Sequence, residues 1–177
     1  MRERAKAERR ERGRIPIPRA ILSIALAAAV VLLLIVLATH EGAIGGIQRA
    51  YAAVTHGVLR LLGHDTAILG NVVRSSNFGI TVVTACTGIF ATALFLVAVL
   101  VFPTTWRAKL LGGILGIGGI AVVNVVRLVT LYYVGVHWPA ALDAVHQLVW
   151  QSLLIVFAVS LWLLWAGRIA GRRGAER

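Results

Sequence analysis

Four long apolar runs punctuated by short polar breaks organise this chain of 177 residues: Ala20 to Ala38, Cys86 to Phe102, Leu110 to Val134, and His146 to Ala166. Each approaches or exceeds the roughly 20 apolar residues with which a helix crosses a hydrocarbon core. The pattern predicts an all-α integral membrane protein with about four transmembrane helices. The first run is too long for the apolar core of a signal peptide, and no small-residue cleavage site clearly follows it.

The 47-residue region between the first and second runs, Thr39 to Ala85, reads as two parts. Ile44, Ile47, Tyr51, Val54, Val58 and Leu61 recur at helical spacing, while Arg49, His56 and Arg60 share another face. That is an amphipathic helix, expected on the outer membrane surface. From Ile68 to Thr84 the residues turn β-branched around a polar break at Arg74, Ser75, Ser76 and Asn77, which predicts a short β-like hairpin leading into Cys86. The expected organisation is a basic cytoplasmic tail (1–19), a first span (20–38), an extracytoplasmic amphipathic and hairpin region (39–85), a three-helix core (86–166) and a second basic tail (167–177). Both tails read as disordered.

Composition agrees with a membrane protein: 59% hydrophobic, 14% charged, mean hydropathy +0.85. The net charge of +11 raises the question of nucleic acid, and the placement of the charges answers it. Eight of the 18 Lys and Arg precede the first span, two lie at Arg107 and Lys109, and four follow Trp165. With the N-terminus inside, all of these are cytoplasmic, against three outside, Arg49, Arg60 and Arg74. The positive-inside rule sets both termini in the cytoplasm, and no nucleic-acid partner is expected. A fifth crossing through the amphipathic segment would invert the later charges and is rejected for that reason. The single cysteine excludes an internal disulfide, and with scattered histidines it gives no metal-ligand spacing, so neither metal nor cofactor is expected.

This topology brings three reactive side chains to one face. Cys86 lies at the outer N-terminus of the second span, where first-turn amides and the helix dipole favour thiolate. Arg127 lies about two turns below the outer end of the third span, where a guanidinium is costly unless it faces the bundle interior with a partner. Gly112, Gly116, Gly119, Val123 and Arg127 form one stripe, with Gly112 and Gly116 in a small-xxx-small pair suited to close helix approach. Asn124, three residues before Arg127, is placed to hold it or a substrate carbonyl. On the fourth span Asp143, His146 and Trp150 share a face, and Asp143 is placed to orient the imidazole. Each residue alone has an ordinary reading: Cys86 as apolar filler, Arg127 as a structural cation on backbone carbonyls, His146 as an incidental interfacial histidine. Their convergence favours chemistry.

Ala85-Cys86-Thr87-Gly88-Ile89, then Asn124-Val125-Val126-Arg127, then His146 opening the last span, resembles the core of the exosortase/archaeosortase family of membrane transpeptidases, over about Phe78 to Leu164. The histidine in third place favours the exosortase side. This chain departs from many members in having Thr84 two before the cysteine, Thr87 after it, and fewer N-terminal spans. The resemblance implies an enzyme of the prokaryotic cytoplasmic membrane that recognises exported proteins by a C-terminal signal with a membrane helix, cuts near the outer face and passes the product to a lipid or envelope acceptor. In that scheme Cys86 is the nucleophile, His146 the general acid and base, and Arg127 the oxyanion stabiliser. Two other classes fit the residues: a binding or transport protein whose Arg127 holds an anion, and a structural subunit of an envelope assembly docked through its outer helix.

Overall fold

A computed structural model describes residues 17–39 and 41–175. The chain is mostly helical. Helix α1 (Ile17–Thr39) is followed by α2 (Glu41–Leu61), then by three short strands, β1 (Ala67–Leu69), β2 (Val72–Arg74) and β3 (Gly79–Thr81). A 3-10 turn at Thr84–Cys86 leads into α3 (Ile89–Val101), α4 (Trp106–His137) and a last helix, α5, over 142–175. The expected N-terminal tail falls largely outside the described residues. Over 167–175 the segment expected as the C-terminal tail continues helix α5, which runs to Ala175.

Local sequence explains the breaks. Phe102 leaves α3 in an extended conformation ahead of Pro103, which disfavours helix in the residue before it. Thr105 caps α4 through its hydroxyl, which accepts from the Ala108 amide. Trp138 ends α4 ahead of Pro139 for the same reason as Phe102. Helix α5 begins with one turn at Leu142–Ala144, widens into a π turn at Val145–Trp150 and resumes as α-helix at Gln151–Ala175.

Helix α4 (Trp106–His137) and a second stretch, 139–169, are long and apolar enough to cross a membrane. Ile21–Leu33 and Ile89–Val101 are shorter apolar helical stretches. The second predicted span is therefore reduced to a helix of 13 residues, because its first three positions are spent on a turn and its last, Phe102, is extended.

The all-α expectation is corrected by a small antiparallel sheet of order β1-β2-β3. It is a three-stranded meander in place of a hairpin, with Ile68 opposite Val73 and Val73 opposite Ile80. The polar break at Arg74 to Asn77 makes its second turn, while Gly70, at φ +65°, makes its first. Val73 and Ile80 point inward and join Ala52, Leu59, Val82, Cys86, Leu128, Leu131 and Tyr132 in a core at one end of the molecule. A second core, around Phe95, Val99, Ile120, Leu154 and Trp165, fills the other end.

The expected amphipathic helix is present as α2, with its inward face shifted. Ile44 is buried as expected, with Ala52, Thr55 and Leu59, whereas Ile47 and Val54 are exposed and Leu61 is 88% exposed. With Tyr51 and Val58, Ile47 and Val54 line an open apolar cleft of about 650 Å³ against Val122, Val126 and Val129 of α4.

The glycines of α4 work differently from the close backbone approach expected of them. A Cβ on Gly116 would stand 2.1 Å from the ring of Phe95, and one on Gly112 would stand 2.6 Å from the indole of Trp165. They are sockets for aromatic rings from α3 and α5. At this end Lys109, expected as a loop cation, is buried: its ammonium donates to Ser23 Oγ of α1 at 2.8 Å and to the Leu100 carbonyl. Trp165 Nε1 donates to the Ala108 carbonyl beside it.

Candidate active site

Cys86 does not open α3. It closes the 3-10 turn, its amide bonded to the Val83 carbonyl at 2.8 Å, and the helix begins three residues later at Ile89. Thr87 holds this turn by donating its hydroxyl proton to the Thr84 carbonyl at 2.7 Å, and Gln48 of α2 reaches Thr84 Oγ1 at 3.3 Å. Gly88 then takes a left-handed conformation, φ +68°, that a residue with a side chain adopts only at a cost. The expected helix-dipole activation of the thiol therefore gives way to direct neighbours.

The first neighbour is His146. Its Nε2 lies 3.5 Å from Cys86 Sγ, joining residues 60 apart in sequence. The thiol is buried, 2% exposed, and the imidazole half-buried. His146 sits in the π turn of α5, whose wider winding rotates side chains away from strict 3.6-residue spacing. Asp143, one turn earlier, is exposed; His146 feels its charge, but no carboxylate–imidazole hydrogen bond forms among the described residues.

Arg127, also 2% exposed, stands within electrostatic range of Cys86 and His146. Its Nε and Nη1 are buried without a hydrogen-bond partner among the described residues. Asn124 is not the partner expected for it. The Asn124 amide instead donates from Nδ2 to the backbone carbonyl of Cys86, tying the cysteine turn to α4. The three residue types singled out in the sequence thus stand together, Asn124 supports the cysteine and Asp143 remains peripheral.

Sequence reasoning missed several contributors. Tyr51 packs on the cysteine core and stands beside Asn124. His64 accepts from or donates to the Tyr133 hydroxyl at 2.8 Å and meets the Tyr132 and Tyr133 rings edge-on. His56 similarly pairs with Thr66 at 2.7 Å. The adjacent aromatics Tyr132 and Tyr133 near the end of the third apolar run were the available signal.

The site thus joins a thiol to an imidazole, within electrostatic range of a buried guanidinium, at one end of a bundle of apolar helices. The family model described as transmembrane exosortase matches residues 15–166. The chain accordingly belongs to the transmembrane exosortase family, a family of membrane cysteine transpeptidases. No curated protein and no solved structure matches it.

Proposed function

We propose that this protein is a cysteine transpeptidase that cleaves C-terminal sorting signals of exported proteins at the outer face of the membrane and transfers them to a lipid or envelope acceptor. The observation that carries this reading is the 3.5 Å approach of Cys86 Sγ to His146 Nε2. Thiol and general base within reach of each other are what nucleophilic acyl transfer requires.

His146 takes the Cys86 proton as the thiolate attacks the scissile carbonyl, and Arg127, held in a low-dielectric interior, stabilises the developing oxyanion. Collapse of the tetrahedral intermediate breaks the C–N bond; His146 returns the proton to the leaving amine, and a thioester remains on Cys86. The acceptor nucleophile, deprotonated by His146, then attacks the thioester and frees the thiol. Asp143 favours the transient imidazolium through its charge. In this reading α1, α3, α4 and α5 cross the membrane, both termini are cytoplasmic, and α2 and the sheet lie on the outer side. Support for that orientation comes from the basic residues flanking the Lys109 end.

The test is co-expression with an exported protein carrying a C-terminal membrane helix and basic tail. Cys86→Ala is expected to abolish processing while the protein accumulates normally, as read on immunoblots of both. Continued cleavage by the alanine variant would sink the thiol mechanism.

A further inference from the structure

Asn124 has one polar group that the fold uses and one that it leaves idle. Nδ2 donates to the Cys86 carbonyl, and this fixes the orientation of the side chain, because a carbonyl has no proton to offer Oδ1. Oδ1 is buried without a hydrogen-bond partner among the described residues, in a residue that is 0% exposed. It lies against Gly88, where an added Cβ would stand 3.4 Å away, so the glycine leaves it uncovered by a neighbouring side chain. One turn along α4, Nε and Nη1 of Arg127 are orphaned in the same way. Buried polar atoms are normally paired, and an unpaired set beside a reactive thiol marks where a ligand completes the bonding.

The complement of this set is specific. It must accept from a guanidinium and donate to an amide oxygen on the same helix face. A carboxylate, phosphate or ester supplies only acceptors. An extended peptide supplies both, because the C=O and N–H of a single residue point to the same edge of the chain.

Building on the acyl-transfer reading above, we propose that Asn124 Oδ1 is a specificity-determining acceptor: it takes the backbone N–H of the residue whose carbonyl Arg127 holds and Cys86 attacks. Asn124 then fixes nucleophile and substrate with one side chain, Nδ2 on the cysteine and Oδ1 on the peptide. The site selects an extended polypeptide backbone whatever side chain that residue carries.

Two small reagents test this without a known substrate: N-acetylglycine chloromethyl ketone and its counterpart in which the N–H is replaced by an ester oxygen. In both, the Cys86 sulfur displaces chloride to form a thioether, and the thiol proton passes to His146. Rates are read by mass spectrometry of the full chain in nanodiscs and divided by the rate of each reagent with glutathione. The wild-type chain is expected to favour the amide reagent by roughly tenfold, the scale of one buried hydrogen bond left unmade. An N-methylated amide reagent should react like the ester. In Asn124→Ala the preference should fall to about one. Equal wild-type rates, failure of both reagents to modify Cys86, or a preference that survives Asn124→Ala overturns the proposal, as would be seen if water alone filled the gap. Should Asn124→Ala not accumulate, the three reagents on the wild-type chain still decide. Loss of this selectivity leaves Cys86-dependent cleavage standing, whereas cleavage by Cys86→Ala removes the acyl-transfer reading and leaves the alkylation rates intact as a measure of Asn124.

Discussion

Arg127 shows how a single residue can be read from cost alone. A guanidinium in an apolar helix demands a reason, and its burial beside Cys86 and His146 supplies one. A catalytic role makes a demand that a structural one does not, because a planar fork of donors is not replaced by the compact charge of lysine. Arg127→Lys is expected to lower turnover by about 10²-fold or more, the scale of losing one oxyanion donor, while protein level and substrate co-purification persist. Near-normal cleavage by the lysine variant would rule out directed donation. Cys86, Arg127 and His146 were legible because each is chemically out of place in an apolar run. The actual bond of Asn124 was not, because it runs to a backbone carbonyl 38 positions away, and no side-chain pattern encodes that.

At the scale of elements, apolar run length and, for α2, periodicity point to the long helices among the described residues, and both fail where winding or pairing departs from the regular period. The mostly apolar run from Cys86 to Phe102 places Cys86 at a helix start, yet Gly88 breaks that run with a left-handed residue. The third strand escaped notice because each strand has only three residues, too few for an alternating pattern to declare itself. Beside the core packing of Val73 and Ile80, one further contact seats the sheet: the Phe78 ring occupies the place of the missing Gly135 side chain on α4 and meets Tyr132 edge-on at 5.9 Å. A Cβ there would stand 2.1 Å from the ring. Gly135→Ala is therefore expected to destabilise the protein by about 1–3 kcal/mol, the usual range for overpacking, and to reduce cleavage. Phe78→Leu in the same chain should restore part of both, measured as thermal stability in detergent and processing in cells. A Gly135→Ala variant with unchanged stability and activity would show that the sheet is seated by other contacts.

For the whole molecule, the two ends of α4 carry opposite duties. Lys109 ties α1 and α3 to α4 at one end, and Arg127 faces the thiol toward the other. They are separated by about 27 Å at 1.5 Å per residue, close to the roughly 30 Å of a hydrocarbon core. With the Lys109 end inside, Ser76→Cys and Pro139→Cys in a Cys86→Ala background should react with an impermeant thiol reagent on intact cells, and Arg107→Cys only after lysis. Labelling at 107 but not at 76 would reverse the orientation. Helix α3 stands out in this frame, because its 13 residues reach only about 20 Å, some 10 Å short of that thickness. In the proposed topology, where α3 crosses the membrane, a bilayer meeting so short an element must thin or dimple around it. Cys86, at the top of that dimple, would sit below the mean level of the surrounding headgroups yet within reach of water and of an acceptor. With that topology, the lipid chain length of the host membrane becomes a control on the proposed activity: thicker bilayers would deepen the mismatch at α3 and slow the proposed transfer step.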